Sequence, residues 1–177
     1  MVSVPTDAGG ALTNTAQPAE FDGILLLVGR LNYTWTNTES LLVHLIAGLS
    51  GTPKEVAVVI FLTLNTTRAR VDLVDRLAKM AHQDAGERDA VLALTRQLMK
   101  LSGLRNRYNH CIYAFDPEGG PPKSILMRIA DRKDEIRMGQ TIELDEAAIE
   151  QIRQSIADLA SLNQAIWGHI TRFSYPR

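Results

Sequence analysis

The sequence has few of the features that mark secreted, membrane-spanning or nucleic-acid-coating proteins. Its single cysteine, Cys111, has no partner within the chain, and a lone thiol suits the reducing cytoplasm. The longest aliphatic or aromatic run near the middle, Val56–Leu62, is far shorter than the roughly 20 residues that span a bilayer. The formal net charge of −1 argues against a protein that coats nucleic acid through bulk charge. We therefore expect a cytoplasmic protein without a membrane span, in which any nucleic-acid role uses a local site.

Common cofactor signatures are also missing. The sequence contains no zinc-ligand spacing, no phosphate-binding P-loop and no glycine-rich dinucleotide fingerprint. His82 and His169 stand alone near predicted helix ends, where a structural role is expected, and Cys111 is expected to be a small buried hydrophobic residue. The sequence therefore predicts neither a metal site nor a cofactor.

The length of 177 residues fits one domain with its own core. Residues 1–19 lack the basic and apolar regions of a signal peptide, and they combine few apolar anchors with several Gly, Pro, Thr and Asn residues. We predict that residues 1–19 form a disordered N-terminal tail and that residues 20–177 form a single helical domain.

Most of this domain has the apolar period of amphipathic helices. The segment Phe21–Ser50 predicts one long helix, whose wide apolar stripe indicates neighbours on two sides or a dimer interface. Pro53 is expected at the first position of a short helix, and one of Asn65, Thr66 and Thr67 is expected to cap the next. The further predicted helices are about Thr67–Gln83, about Glu87–Phe115, and a last helix with Asp145 as its N-cap.

Between the last two helices, the residues from Lys123 to about Leu144 alternate between apolar and polar on both sides of a polar stretch, which predicts a β-hairpin. The predicted fold class is therefore all-α: an up-and-down helical bundle of four to five helices with a small β-hairpin insertion before the last helix.

The segment Leu104–His110 carries the densest chemistry, with two cations, two amides, a phenol and an imidazole within two helical turns. Asn106 and His110 are i,i+4 neighbours and can share a patch, whereas Arg105 lies some 140° around the helix from His110. Its long side chain must reach across, or the partner helix of a dimer must complete the site. The alternative is structural, with ordinary ion pairs, local hydrogen bonds and a histidine at a helix end.

These residue types are the ones that metal-free RNA cleavage requires. Histidine titrates near neutral pH and can move protons at the 2′-hydroxyl or the leaving oxygen. Arginine keeps its charge and presents paired donors to phosphate oxygens. The stretch from 96 to 137 has nine Lys or Arg against five acids, which favours RNA binding there, although a solvated hairpin face gives the same count.

Arg105-Asn106-x-x-x-His110 resembles the Arg-Asn-x-x-x-His form of the HEPN motif, and its place late in a long helix is similar to that superfamily. The resemblance implies a helical bundle, a homodimer with facing motif helices and, in active members, a metal-independent endoribonuclease. It implies that Arg105 and His110 are the catalytic pair and that Asn106 orients them. The hairpin is not explained by the motif.

We also predict substrate-binding residues around the motif. Arg107 and Tyr108 belong to the same segment, and Asn37 and His44 lie on a polar stripe of the first helix that either lines the cleft or faces solvent. The expected partners are a second copy of the chain, RNA, and an antitoxin or other protein. The alternatives to a ribonuclease are a non-catalytic HEPN-like module that binds a nucleotide, small ligand or protein, and a purely structural dimerisation domain.

Overall fold

The computed structural model describes residues 19–80, 84–114, 120–132 and 134–177. This part of the chain is mostly helical, with one small antiparallel sheet before the last helix. The predicted tail lies outside the described residues except for Ala19, which begins the first helix. None of the described helices is both long and apolar enough to cross a membrane. The elements are α1 Ala19–Ser40, α2 Leu42–Ser50, α3 Lys54–Thr63, α4 Thr67–Ala78, α5 Ala85–Asn109, β1 Cys111–Ala114, β2 Lys123–Arg132, β3 Glu135–Glu143 and α6 Glu146–Arg172.

The centre of the core lies where α1, α5 and α6 pack against one another, and α2 and α4 extend it. Each of the three central helices contributes a fully buried side chain, from Trp35, Leu98 and Leu159. Ile24 and Leu31, on the apolar stripe of α1, are buried as well. The centre of the stripe that the sequence offered as a dimer interface therefore packs within the chain, whereas Leu25 and Leu26, which widen it, are exposed.

The predicted helix Phe21–Ser50 is wrong in one respect, because it is divided into α1 and α2 at Leu41. Three hydroxyls before the break donate to carbonyls of their own helix: Thr34 to Arg30, Thr38 to Thr34 and Ser40 to Asn37. Such bonds compete with the helical ladder and bend helices. The described residues consequently contain six helices instead of four to five.

The residues that cap the N-termini of α4 and α6 were predicted correctly. The Thr66 hydroxyl accepts from the Ala69 N–H at 3.1 Å and caps α4, and the Asp145 carboxylate accepts from the Ala148 N–H at 2.8 Å and caps α6. Pro53 immediately precedes α3 instead of occupying its first turn. Within the described residues α4 ends at Ala78. The predicted helix end at Gln83, and His82, lie outside the described residues.

The helix predicted to reach Phe115 ends at Asn109, and after His110 the four residues Cys111–Ala114 form β1. β1 pairs antiparallel with β2, so that Cys111 is opposite Leu126, and β2 pairs antiparallel with β3. The predicted hairpin is confirmed, but it belongs to a three-stranded sheet. Pairing with β2 overrides the helical period here because it satisfies the backbone of residues 111–114.

The C-terminal segment after α6 folds back onto the start of α5. Tyr175 is buried, and its hydroxyl donates to the Glu87 carboxylate. A methyl group added at Gly48 in α2 would lie 2.2 Å from the Tyr175 ring. Gly48 therefore provides the space in which this ring packs.

We expect Gly48→Ala to lower the free energy of unfolding by roughly 1–3 kcal/mol, because the ring must move or the helix must shift. Gly29→Ala in α1 is the matched control, since nothing lies within 4 Å of the added methyl group. That change is expected to stabilise by roughly 0.5–1 kcal/mol through helix propensity. Urea denaturation of both variants checks the prediction, and equal effects at the two positions would contradict it.

Candidate functional site

The motif occupies the last turn of α5, where the helix passes into the sheet. His110 is the C-cap of α5 and leaves the helical conformation at φ −121° and ψ 29°. Its carbonyl accepts from the Met127 N–H at 2.8 Å. The bond holds β2 against the end of the motif helix, so the position of His110 depends on both elements.

A surface pocket of about 530 Å³ opens at this junction. Three of its lining residues come from α5, one is the C-cap of that helix, and two come from β2. They are Gly103, Asn106, Arg107, His110, Leu126 and Met127. Asn106, Arg107 and His110 are all exposed. The structure therefore brings three predicted site residues together in one pocket that solvent can reach.

Arg105 belongs to a different face of α5. Its guanidinium lies 5.2 Å from the centre of the Trp35 ring, and Nη1 donates to the Asn106 side-chain oxygen at 2.8 Å. Its Nε is buried and has no hydrogen-bond partner within the described part of the chain. Arg105 is thus half-buried between α5 and α1 and reaches the pocket through Asn106 instead of lining it.

The remaining predicted binding residues do not line the pocket. Tyr108 is buried in the core, and this burial raises the pKa of its hydroxyl above the ordinary value. Asn37 is exposed on α1. His44 is buried in α2, and its Nδ1 donates to the Pro176 carbonyl at 2.7 Å.

His44 is also far from the motif. Its partner Pro176 follows Tyr175, which bonds to Glu87 in the first turn of α5. From there to Arg105 the helix rises about 27 Å, at 1.5 Å per residue. The predicted polar stripe therefore does not form one wall of a cleft within the chain: His44 is buried, and Asn37 with Tyr33 and Ser40 faces solvent.

Three pocket residues were not among the predicted site residues: Gly103, Leu126 and Met127. The hairpin was predicted, yet no local signal indicates that β2 packs against the end of α5, since the contact joins residues distant in sequence. The exposure of Met127, a large apolar residue, is visible only in the structure.

The chain matches no known protein-family model, no curated protein and no solved structure. The interpretation of the site therefore depends on the motif at positions 105–110 and on the geometry of the pocket.

Proposed function

We propose that the pocket at the end of α5 is the active site of a HEPN-like, metal-independent endoribonuclease that acts as a homodimer. The observation that carries the proposal is the meeting of Asn106, Arg107 and His110 in one exposed pocket, with Arg105 bonded to Asn106. The packing of α1 against α5 and α6 supports an up-and-down bundle of the HEPN kind. The motif resemblance supports the dimer.

In the proposed reaction His110 takes the proton of an RNA 2′-hydroxyl. The 2′-oxygen then bonds to phosphorus, the bond from phosphorus to the 5′-oxygen breaks, and the 5′-oxygen takes a proton from the second imidazole of the dimer or from water. Arg105 orients Asn106 through its hydrogen bond, and Arg107, which lines the pocket, provides the cation that stabilises the additional phosphate charge.

A second candidate is a non-catalytic HEPN-like binding module for a nucleotide, small ligand or protein. The position of Arg105 favours it, because the guanidinium packs on Trp35 instead of entering the pocket beside His110. Under this alternative Arg105 is a packing residue. Cleavage separates the two functions, since the module binds without breaking RNA.

The test of the proposal is incubation of the purified full chain with mixed RNA in EDTA. Chelator-resistant cleavage is the expected result, and intact RNA at high protein concentration would contradict it. Light scattering on the same sample is expected to give the mass of a dimer, and a monomer that cleaves RNA would contradict the composite site.

We expect Arg105→Lys to lower the cleavage rate roughly 10²-fold while the thermal midpoint changes by only a few degrees. Lysine keeps the charge but loses the planar guanidinium that donates to Asn106 and packs on Trp35. Arg96→Lys, an exposed position on the same helix, is the matched control and is expected to retain activity.

Cleavage assays and thermal melts are run on both variants and on Arg105→Ala. Unchanged cleavage in Arg105→Lys would remove Arg105 from the reaction. If Arg105→Ala lowered the melting temperature without slowing cleavage, the residue would serve only to cover Trp35.

A further inference from the structure

The wall that β2 gives to the pocket has no counterpart in the motif. Leu126 and Met127 lie opposite Asn106 and His110, and the Met127 N–H is bonded to the His110 carbonyl. Met127 is nevertheless 65% exposed, in contrast to the half-buried Leu126. A large apolar side chain is therefore held beside the motif histidine by a backbone bond and left open to solvent.

A β-bulge explains how consecutive residues line one pocket. Leu126 pairs with Gln140 and Ile129 with Met138, so β2 has two residues where β3 has only Gly139. Gly139 adopts a φ of +65°, which a glycine accepts without strain. In a regular strand neighbouring side chains point to opposite faces, and a bulge redirects one of them. The bulge includes Met127 and accounts for two consecutive residues of β2 lining the same pocket.

The two walls of the pocket differ in chemistry. The α5 wall presents an amide, a guanidinium and an imidazole, which bind phosphate and sugar oxygens. The β2 wall presents a leucine and a thioether, and sulfur makes favourable contacts with aromatic rings. A ligand that matches both walls has an anionic group close to a flat aromatic ring. The volume of about 530 Å³ lies within the range of small-molecule sites.

We propose that Met127 is the base-contacting residue of this site and that the substrate is single-stranded RNA, whose unpaired base packs on the thioether while its phosphate lies at Arg107 and His110. The inference rests on the proposed function. In a duplex the base faces are stacked and cannot be reached, so the arrangement selects single strands. The contact involves a ring face and not a base edge, so it tolerates all four bases.

The test compares Met127→Ala with Ile136→Ala in the full chain. Ile136 is the matched control, because it is an equally exposed apolar residue (63%) on β3 and does not line the pocket. With single-stranded RNA as substrate, we expect Met127→Ala to raise KM roughly 2- to 12-fold at nearly constant kcat. Met127→Leu is expected to recover part of the loss, and Ile136→Ala to behave as wild type.

The decisive substrate has an abasic nucleotide at the cleaved position. Because it has no base to contact Met127, wild type and Met127→Ala should cleave it with the same KM. Cleavage that is equal in the Met127 and Ile136 variants would overturn the inference and leave the proposed ribonuclease standing. A different outcome would separate the two proposals. If wild type never cuts single-stranded RNA, the proposed ribonuclease is overturned. If the same RNA binds His110→Ala tightly but binds the double variant His110→Ala/Met127→Ala weakly, the base contact at Met127 is retained. Equal binding of single-stranded and duplex RNA would also overturn the inference.

Discussion

We expect His110→Ala to lower chelator-resistant RNA cleavage by roughly 10²–10⁴-fold, the usual contribution of a general acid or base. His110 is exposed at the end of α5, and its described tertiary bond is made by the main-chain carbonyl to Met127. Removal of the imidazole therefore leaves that bond in place, and the melting temperature should change little. Cleavage rates and melts measured on the same preparation check both parts.

Asn109→Ala is the matched control for this variant. Asn109 is the neighbouring exposed residue on α5 and does not line the pocket, so its loss should leave cleavage close to that of wild type. A His110→Ala protein that is folded and fully active would remove the imidazole from the reaction. A large effect of Asn109→Ala would indicate that the end of the helix, and not one side chain, controls the rate.

The second large effect concerns stability, and it is expected at Glu39. This carboxylate is buried, and it accepts from the Trp35 indole at 3.3 Å and from the Thr67 hydroxyl. It also lies 3.2 Å from the Arg70 guanidinium, which packs 4.0 Å from the centre of the Phe61 ring. The pair therefore joins α1 to α4 and, through Phe61, to α3.

We expect Glu39→Ala to lower the free energy of unfolding by roughly 3–5 kcal/mol, because the buried Trp35 indole and the largely buried Arg70 guanidinium lose their carboxylate partner. For a chain of this size the thermal midpoint should fall by roughly 6–20 °C. Differential scanning calorimetry measures both quantities.

The matched control is Glu150→Ala, which removes the exposed partner of Arg153 and should cost at most about 1 kcal/mol. Replacing Glu39 and Arg70 together by leucine and methionine should recover part of the loss. Equal destabilisation by the Glu39 and Glu150 variants would show that the buried pair does not hold α1 to α4.

Features governed by local chemistry were predictable from the sequence. Thr66 and Asp145 cap their helices because a short polar side chain can accept from the free N–H groups of the first turn. This interaction does not depend on what packs nearby. The hairpin followed from alternation within β2 and β3. The motif segment also lies late in a long helix, as the sequence indicated, and Asn106 and His110 share a pocket at the predicted i,i+4 spacing.

Features that depend on distant residues were not predictable. Residues 111–114 continue a helical seam in the sequence, yet they pair with β2, whose backbone groups supply the alternative bonds. The position of Arg105 depends on Trp35, and the burial of His44 depends on the C-terminal Pro176. The bulge beside Met127 is a feature of the register between β2 and β3. The apolar and polar pattern of a single strand does not reveal it.

The most direct test of the proposed active site is the identity of the ends that wild-type protein leaves on a defined single-stranded RNA in EDTA. Attack by the neighbouring 2′-oxygen, with His110 moving the proton, predicts a 2′,3′-cyclic phosphate on one fragment and a 5′-hydroxyl on the other. Mass spectrometry of the fragments identifies both ends. His110→Ala, which is expected not to cleave, is the negative control. Products with a 5′-phosphate, or RNA that stays intact with wild type, would contradict the account.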